Sequence, residues 1–147
     1  MSDLDLALAI AHHIVVFALF GVLFSEFVLV RRGMAVPAVA LVAKIDAWYG
    51  VLAGLILIVG FSRVVFAAKG WDYYSHNYFF WAKIGTFIVI GLLSIAPTRS
   101  FVRWRRAGTV PSDEAVSSTR RYLWMQVTLF PFLLAFAAAM ARGYGIF

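Results

Sequence analysis

The fold of this protein is decided by the stretch LALAIAHHIVVFALFGVLFSEFVLV, residues 6–30, which is followed directly by Arg31 and Arg32. A helix crosses a bilayer with about 20 apolar residues, and this run is long enough to do so. The run also contains His12, His13 and Glu26. Ionisable side chains at membrane depth are costly and usually face a bundle interior or a wet cavity, so these three are candidate functional residues.

The composition of the whole chain extends this conclusion. The 147 residues are 63% hydrophobic and 14% charged, whereas soluble domains are about half apolar and a quarter charged. Four apolar runs use most of the length, which predicts a single all-α domain over residues 1–147, a four-span transmembrane helical bundle. The runs lack the alternation that a membrane β-barrel requires. The predicted spans cover about residues 6–30, 47–68, 79–97 and 121–142.

Local signals predict where these helices begin and end. We expect Asp46 to be an N-cap or first-turn acid of the second span. The short apolar piece at residues 36–42 is either an interfacial helix or an inner extension of that span. Pro97 is expected to close the third span, and Ser112 is expected to cap the fourth helix before it enters the membrane.

The distribution of basic residues predicts the orientation. The loops after the first and third spans hold nine of the 13 Lys and Arg residues, whereas Lys69 and Arg142 lie on the other side. By the positive-inside rule the basic loops are cytoplasmic, so both termini are predicted to be extracytoplasmic. The same charges suit lipid head groups, and we therefore expect membrane lipids and no nucleic acid as partners.

This orientation predicts a cluster of polar groups near the outer surface. His12, His13, Arg63 and Lys83 each lie near the outer end of a span, below the loop that holds Asp72 and His76. Glu26 lies roughly 21 Å deeper than His12 along an ideal helix. It is about 40° from His12 around that helix and about 140° from His13, so Glu26 and His12 are predicted to share the interior face.

This set of nitrogen-bearing side chains favours haem b as a cofactor. A neutral imidazole on a transmembrane helix is a usual axial haem ligand, and His12 or His13 can supply it. His76 or Lys83 could act as the second donor. Arg63 suits a tetrapyrrole propionate because its planar guanidinium pairs with two carboxylate oxygens.

Other chemistries have weaker sequence support. The chain has no cysteine, and adjacent histidines on a helix point about 100° apart, so a zinc site at His12 and His13 is unfavourable. Glu26 could pass protons along a path with His12, Arg63 and Lys83, or it could snorkel to pair with Arg31 or Arg32.

The motifs at two helices also resemble a known group of proteins. An early histidine precedes Gly21-Val22-Leu23-Phe24, and an aromatic run, Phe79-Phe80-Trp81-Ala82, leads into Lys83. With these motifs, residues 8–106 resemble the small four-helix bacterial inner-membrane proteins of unassigned function, and through them the HemJ-type protoporphyrinogen oxidases, which bind haem b. The resemblance implies that His12 or His13, together with Lys83, is tied to activity.

The leading functional hypothesis is therefore a haem- or tetrapyrrole-binding protein of the bacterial inner membrane, with protoporphyrinogen oxidase-type chemistry. In it, His12 or His13 ligates the iron, Arg63 binds a carboxylate, and Lys83 is a second ligand or proton donor. Glu26 is a further candidate catalytic residue. The alternatives are an accessory subunit of a homo-oligomer or larger membrane complex, and a small proton or ion pathway protein.

Overall fold

The computed structural model describes residues 3–66 and 70–147. Within these ranges the chain forms four long helices and one short one, and the long ones are each apolar enough to cross a membrane. The all-α, four-span fold is therefore confirmed. Lys69 and the last two residues of the predicted second span lie outside the described residues. The helices are α1 (Asp3–Leu29), α2 (Val36–Phe66), α3 (Gly70–Ser75), α4 (Tyr78–Ala107) and α5 (Asp113–Ala141).

The long helices pack in a ring in the order α1, α2, α4, α5. Each contributes to one core, as Leu23, Ile56, Ile90 and Phe130 illustrate. Many large apolar side chains face outward, among them Phe61 at 70% exposure, as expected where lipid covers the bundle. We call the end with the arginine-rich connections the basic end, and the end with α3 and residues 142–147 the tail end.

The start of α2 differs from the prediction. The helix begins at Val36, so the apolar piece at residues 36–42 is an extension of it and Asp46 lies well inside the helix. The Asp46 carboxylate accepts a hydrogen bond of 2.8 Å from the Thr98 hydroxyl on α4. The expectation that Asp46 caps the span is wrong, because buried Val39 and Val42 pack into the core and carry the helix toward the basic end.

The third span also continues beyond its predicted end. Pro97 lies inside α4, which runs on to Ala107 and ends at Gly108, in a left-handed conformation with φ of 63°. A proline in a helix removes one backbone hydrogen bond. Beyond Pro97 the buried Phe101 and Trp104 pack into the core, and this tertiary packing outweighs the local loss.

Two polar contacts hold α5 in place at the basic end. Ser112 is the N-cap, as predicted, and its hydroxyl accepts a hydrogen bond from the Ala115 amide. One nitrogen of the Arg120 guanidinium donates to the carbonyl oxygens of Phe27 and Val30, at 2.7 Å each. Arg120 therefore satisfies carbonyls that the C-terminus of α1 leaves free.

At the tail end a buried asparagine joins the start of α4 to the last residues of the chain. The Asn77 side chain accepts hydrogen bonds from the Phe79 and Phe80 amides and caps α4. Its amide nitrogen donates to the Tyr144 carbonyl at 2.9 Å. The Tyr78 amide donates to the Gly145 carbonyl at 2.9 Å. The tail is thus fixed over the α3–α4 connection.

Candidate functional site

A cavity of about 350 Å³ lies among the four long helices in the half of the bundle nearer the tail end. We call it the tail-half cavity. Its volume falls in the range of about 300–1,000 Å³ that is typical of ligand pockets, toward the lower limit. Most of the lining is apolar and aromatic. The lining residues include His12, His13, Gly60, Trp71, Phe80, Lys83 and Phe130.

His12 presents an imidazole to this cavity from α1. Its Nδ1 atom is buried and has no hydrogen-bond partner. The ring lies against α2 where Gly60 has no side chain, since a methyl group added there would be 3.5 Å from the His12 Cε1 atom. Gly60 therefore allows the imidazole to approach α2 closely.

His13 is oriented differently from its neighbour. Its side chain is exposed at the edge of the cavity, and its Nδ1 atom lies 2.7 Å from the Ala9 carbonyl, within its own helix. The two imidazole rings are perpendicular, with centroids 6.3 Å apart. Of the two histidines, His12 is the one whose Nδ1 atom is buried without a hydrogen-bond partner, and this atom lies on the side of the ring that faces Gly60 of α2.

Two cationic side chains lie near His12. Lys83 lines the cavity from α4, and its ammonium is 5.4 Å from the centre of the Phe80 ring. The Arg63 Nε atom on α2 is buried without a hydrogen-bond partner, and both cations are close enough to His12 to interact with it electrostatically. Neither makes a salt bridge with a described residue.

His76 does not join this group. It lies on the tail-end surface, where its Nδ1 atom is 2.9 Å from the Asp72 carbonyl oxygen and 3.4 Å from an Asp72 carboxylate oxygen. The His76 ring packs against Phe147. The sequence-based expectation that His76 could act as a second donor is therefore not met in this structure, whereas Lys83 lines the same cavity as His12.

Glu26 lies in the other half of the bundle, away from the tail-half cavity. It is 2% exposed, so Glu26 and His12 both face inward, as the helical angle predicted. The predicted pairing of Glu26 with Arg31 or Arg32 is not observed, since the Glu26 side chain is in no salt bridge with a described residue. Arg32 instead donates to the Ser117 hydroxyl on α5.

Sequence reasoning missed several residues that shape the interior. Gly60 and Phe130 line the tail-half cavity, and apolar residues in apolar helices carry no local signal of that role. Tyr49 and Gln126 are hydrogen-bonded in the interior. Those two could have been found, because a phenol and an amide inside an apolar span need a partner.

The comparisons with known proteins identify a family. A sequence model described as "Predicted membrane protein (DUF2214)" matches residues 4–145. The chain belongs to this family. Neither a curated protein nor a solved structure matches it. This DUF2214 protein is thus a multi-pass integral membrane protein, and the comparisons give no support to the resemblance to HemJ-type oxidases.

Proposed function

We propose that this protein binds an anionic, amphipathic ligand in the tail-half cavity, and that the ligand is haem b or a related tetrapyrrole. The supporting observation is that His12 and Lys83 line this cavity. Arg63 is not among the lining residues but lies close to His12, and no described acidic residue pairs with either cation. An unpaired charge inside a bundle is costly, and an acidic ligand would offset that cost.

The donor set is compatible with a tetrapyrrole. His12 would be the axial ligand, Arg63 would bind a propionate through its planar guanidinium, and Lys83 would bind a second propionate, ligate the iron or donate a proton. Trp71, Phe80 and Phe130 provide apolar aromatic walls. A bound haem would supply one-electron chemistry that these side chains lack.

The test uses the adjacent histidines as a matched pair. The purified protein is titrated with haem in detergent, and the Soret band is followed in the wild type and in the His12→Ala and His13→Ala variants. We expect the band to be lost or shifted in His12→Ala and kept in His13→Ala. Absence of a Soret band in the wild type, or equal loss in both variants, would overturn the assignment.

The role of the two cations is tested by changing the charge on the ligand. Removing one charged hydrogen bond costs about 1.5–3 kcal/mol, so Arg63→Leu and Lys83→Met should each weaken haem binding about 10- to 100-fold. Arg63→Leu should bind haem dimethyl ester as the wild type does, because the ester lacks the carboxylates. Lys83→Met should do so where Lys83 binds a propionate, whereas loss of ester binding by this variant alone would assign Lys83 to the iron. An equal loss for haem and for its ester would refute the carboxylate contacts.

The more specific function that we propose is oxidoreductase chemistry of the protoporphyrinogen oxidase type. A porphyrinogen has the same acidic, amphipathic character that the cavity favours. Loaded membranes should oxidise protoporphyrinogen anaerobically with an added electron acceptor, and Lys83→Met should lower the rate. Haem binding without this oxidation would restrict the function to cofactor binding or electron transfer.

The proposed setting is the bacterial inner membrane, with both termini extracytoplasmic. Since the chain has no cysteine, single cysteines at Thr109 and Tyr144 report the two ends of the bundle without background. An impermeant maleimide applied to intact spheroplasts should label Tyr144→Cys and spare Thr109→Cys. The reverse labelling pattern would show the opposite orientation, with the cavity in the inner leaflet.

A second candidate is a subunit of a homo-oligomer or a larger membrane complex. The observation that favours it concerns Gly50 and Gly54, which lie four residues apart on one face of α2, whereas Gly21 on α1 has no such glycine partner. A methyl group added at Gly50 or Gly54 would meet no atom within 4 Å. Another helix could approach there closely. Gly50→Ile and Gly54→Ile should then reduce cross-linking between chains, whereas Gly21→Ile on α1 should not.

A further inference from the structure

The half of the bundle nearer the basic end contains a buried acidic residue that takes no part in the proposed ligand site. Glu26 is 2% exposed, and its Oε1 atom is buried without a hydrogen-bond partner. No described cation pairs with it. An ionised carboxylate without a partner in such surroundings is very costly, so the group is far more stable as a neutral acid.

The groups that face Glu26 make this conclusion stronger. Asp46 and Tyr49 on α2 are close enough to interact with Glu26 electrostatically, and both carry negative charge when ionised. From α5, Gln126 contributes a neutral amide, which accepts the Tyr49 hydroxyl at 3.2 Å. The nearby Arg120 guanidinium is engaged by the Phe27 and Val30 carbonyls instead.

Asp46 is 8% exposed and lies between Glu26 and a second cavity. This cavity, of about 400 Å³, lies between α2 and α4, and Asp46, Tyr49, Ser94 and Thr98 line it. We call it the α2–α4 groove. It is polar at this level, since the Asp46 carboxylate is hydrogen-bonded to Thr98. Tyr49 lines the groove and also reaches Gln126 in the interior, so polar groups extend from the groove toward Glu26.

We propose that Glu26 is a proton-binding site, and that it exchanges its proton with water at the basic end through Asp46 and the α2–α4 groove. In each exchange one proton passes from the Asp46 carboxyl group to the Glu26 carboxylate, or in the opposite direction, and no atom is oxidised or reduced. Tyr49 and Gln126 keep the region between the two acids polar. The site needs no tetrapyrrole, and neither Glu26 nor Asp46 lines the tail-half cavity, although Leu57 and Phe87 line both that cavity and the α2–α4 groove.

The first experiment is labelling with a hydrophobic carbodiimide, which reacts with protonated carboxyl groups. The purified wild-type protein is treated at pH 8 and the modified peptides are identified by mass spectrometry. An exposed glutamate is protonated in fewer than about one molecule in a thousand at this pH. We therefore expect Glu26 to carry about a hundredfold more adduct than Glu114, which is exposed at the start of α5. Equal labelling of Glu26 and Glu114, or none at Glu26, would overturn the proposal.

The second experiment follows the proton by infrared spectroscopy. The carbonyl band of a protonated carboxylic acid should be present at pH 8, absent in Glu26→Gln and unchanged in the matched variant Glu114→Gln. Transfer to D₂O should shift this band, and the shift should be at least about tenfold slower in Asp46→Asn. The same band in wild type and Glu26→Gln would refute the site. An unchanged exchange rate in Asp46→Asn would refute the route.

Discussion

The Tyr49 hydroxyl of α2 donates a hydrogen bond of 3.2 Å to the Gln126 side chain of α5, across the centre of the bundle. These two helices do not adjoin in the ring, where α1 and α4 separate them. Both residues are buried, and the Gln126 amide nitrogen also donates to the Tyr122 carbonyl of its own helix. The pair therefore links two helices that lie across the bundle from each other.

This relationship predicts a measurable coupling between the two side chains. Hydrogen bonds between membrane helices contribute about 0.6–2 kcal/mol, and we expect a double-mutant cycle of Tyr49→Phe and Gln126→Leu to give a coupling in that range. Unfolding in mixed detergent measures it. Tyr78→Phe, at an exposed tyrosine of the tail end, should leave stability unchanged. Additive effects of the two single substitutions would show that the contact contributes nothing.

A size series at Gly60 tests the packing of His12. Gly60→Ala places a methyl group at ordinary contact distance from the imidazole, 3.5 Å from Cε1, so it should be tolerated. Gly60→Leu exceeds that space, and it should displace the ring and reduce the proposed tetrapyrrole binding at least about tenfold. Binding titrations measure the effect.

The control for this series is Gly54→Leu, one position on the same helix where an added side chain meets no atom within 4 Å. It should bind the ligand as the wild type does. Full binding by Gly60→Leu would mean that the imidazole does not depend on close approach to α2.

Alanine substitutions at two glycines of the tail distinguish the effect of backbone strain from the effect of steric overlap. Gly143 and Gly145 both have positive φ, 81° and 79°, and an alanine there costs about 1–2 kcal/mol. At Gly145 the methyl group would also lie 2.6 Å from the Phe79 Cδ2 atom, whereas at Gly143 it would meet nothing within 4 Å. Gly145→Ala should therefore release the tail and expose it to proteolysis more than Gly143→Ala does. Equal cleavage of the two variants would refute a packed tail.

Adjacent arginines at the start of the fourth span provide another matched pair. Arg120 bonds two carbonyls at the end of α1, whereas Arg121 is exposed. Arg120→Leu should lower the free energy of unfolding by about 1.5–3 kcal/mol, because it leaves those carbonyls without their charged donor. Arg121→Leu should change it by less than about 0.5 kcal/mol. Both variants lose one positive charge. A similar decrease in the free energy of unfolding in both would therefore assign the effect to the lost charge rather than to the hydrogen bonds of Arg120.

The basis for predicting parts of the site from sequence differs from residue to residue. The inward direction of His12 and Glu26 follows from helical angle alone, since both lie on one face of a regular helix. Lys83 lies near His12 and His76 does not. This difference depends on how α3 and the tail at residues 142–147 fold together. Hydrogen bonds between residues about 67 positions apart decide that arrangement, as between Asn77 and Tyr144, and no local pattern encodes it.

What the sequence by itself determined is the number of crossings and the helical class, because a run of apolar residues in lipid must satisfy its own backbone hydrogen bonds. Tertiary structure alone decided where the helices end and what their polar groups meet. Pro97 and Asp46 show the reason, since the packing of Phe101 and the hydrogen bond from Thr98 lie outside any local window. A residue's own chemistry places it in the membrane, but only its neighbours across the bundle determine whether it has a partner.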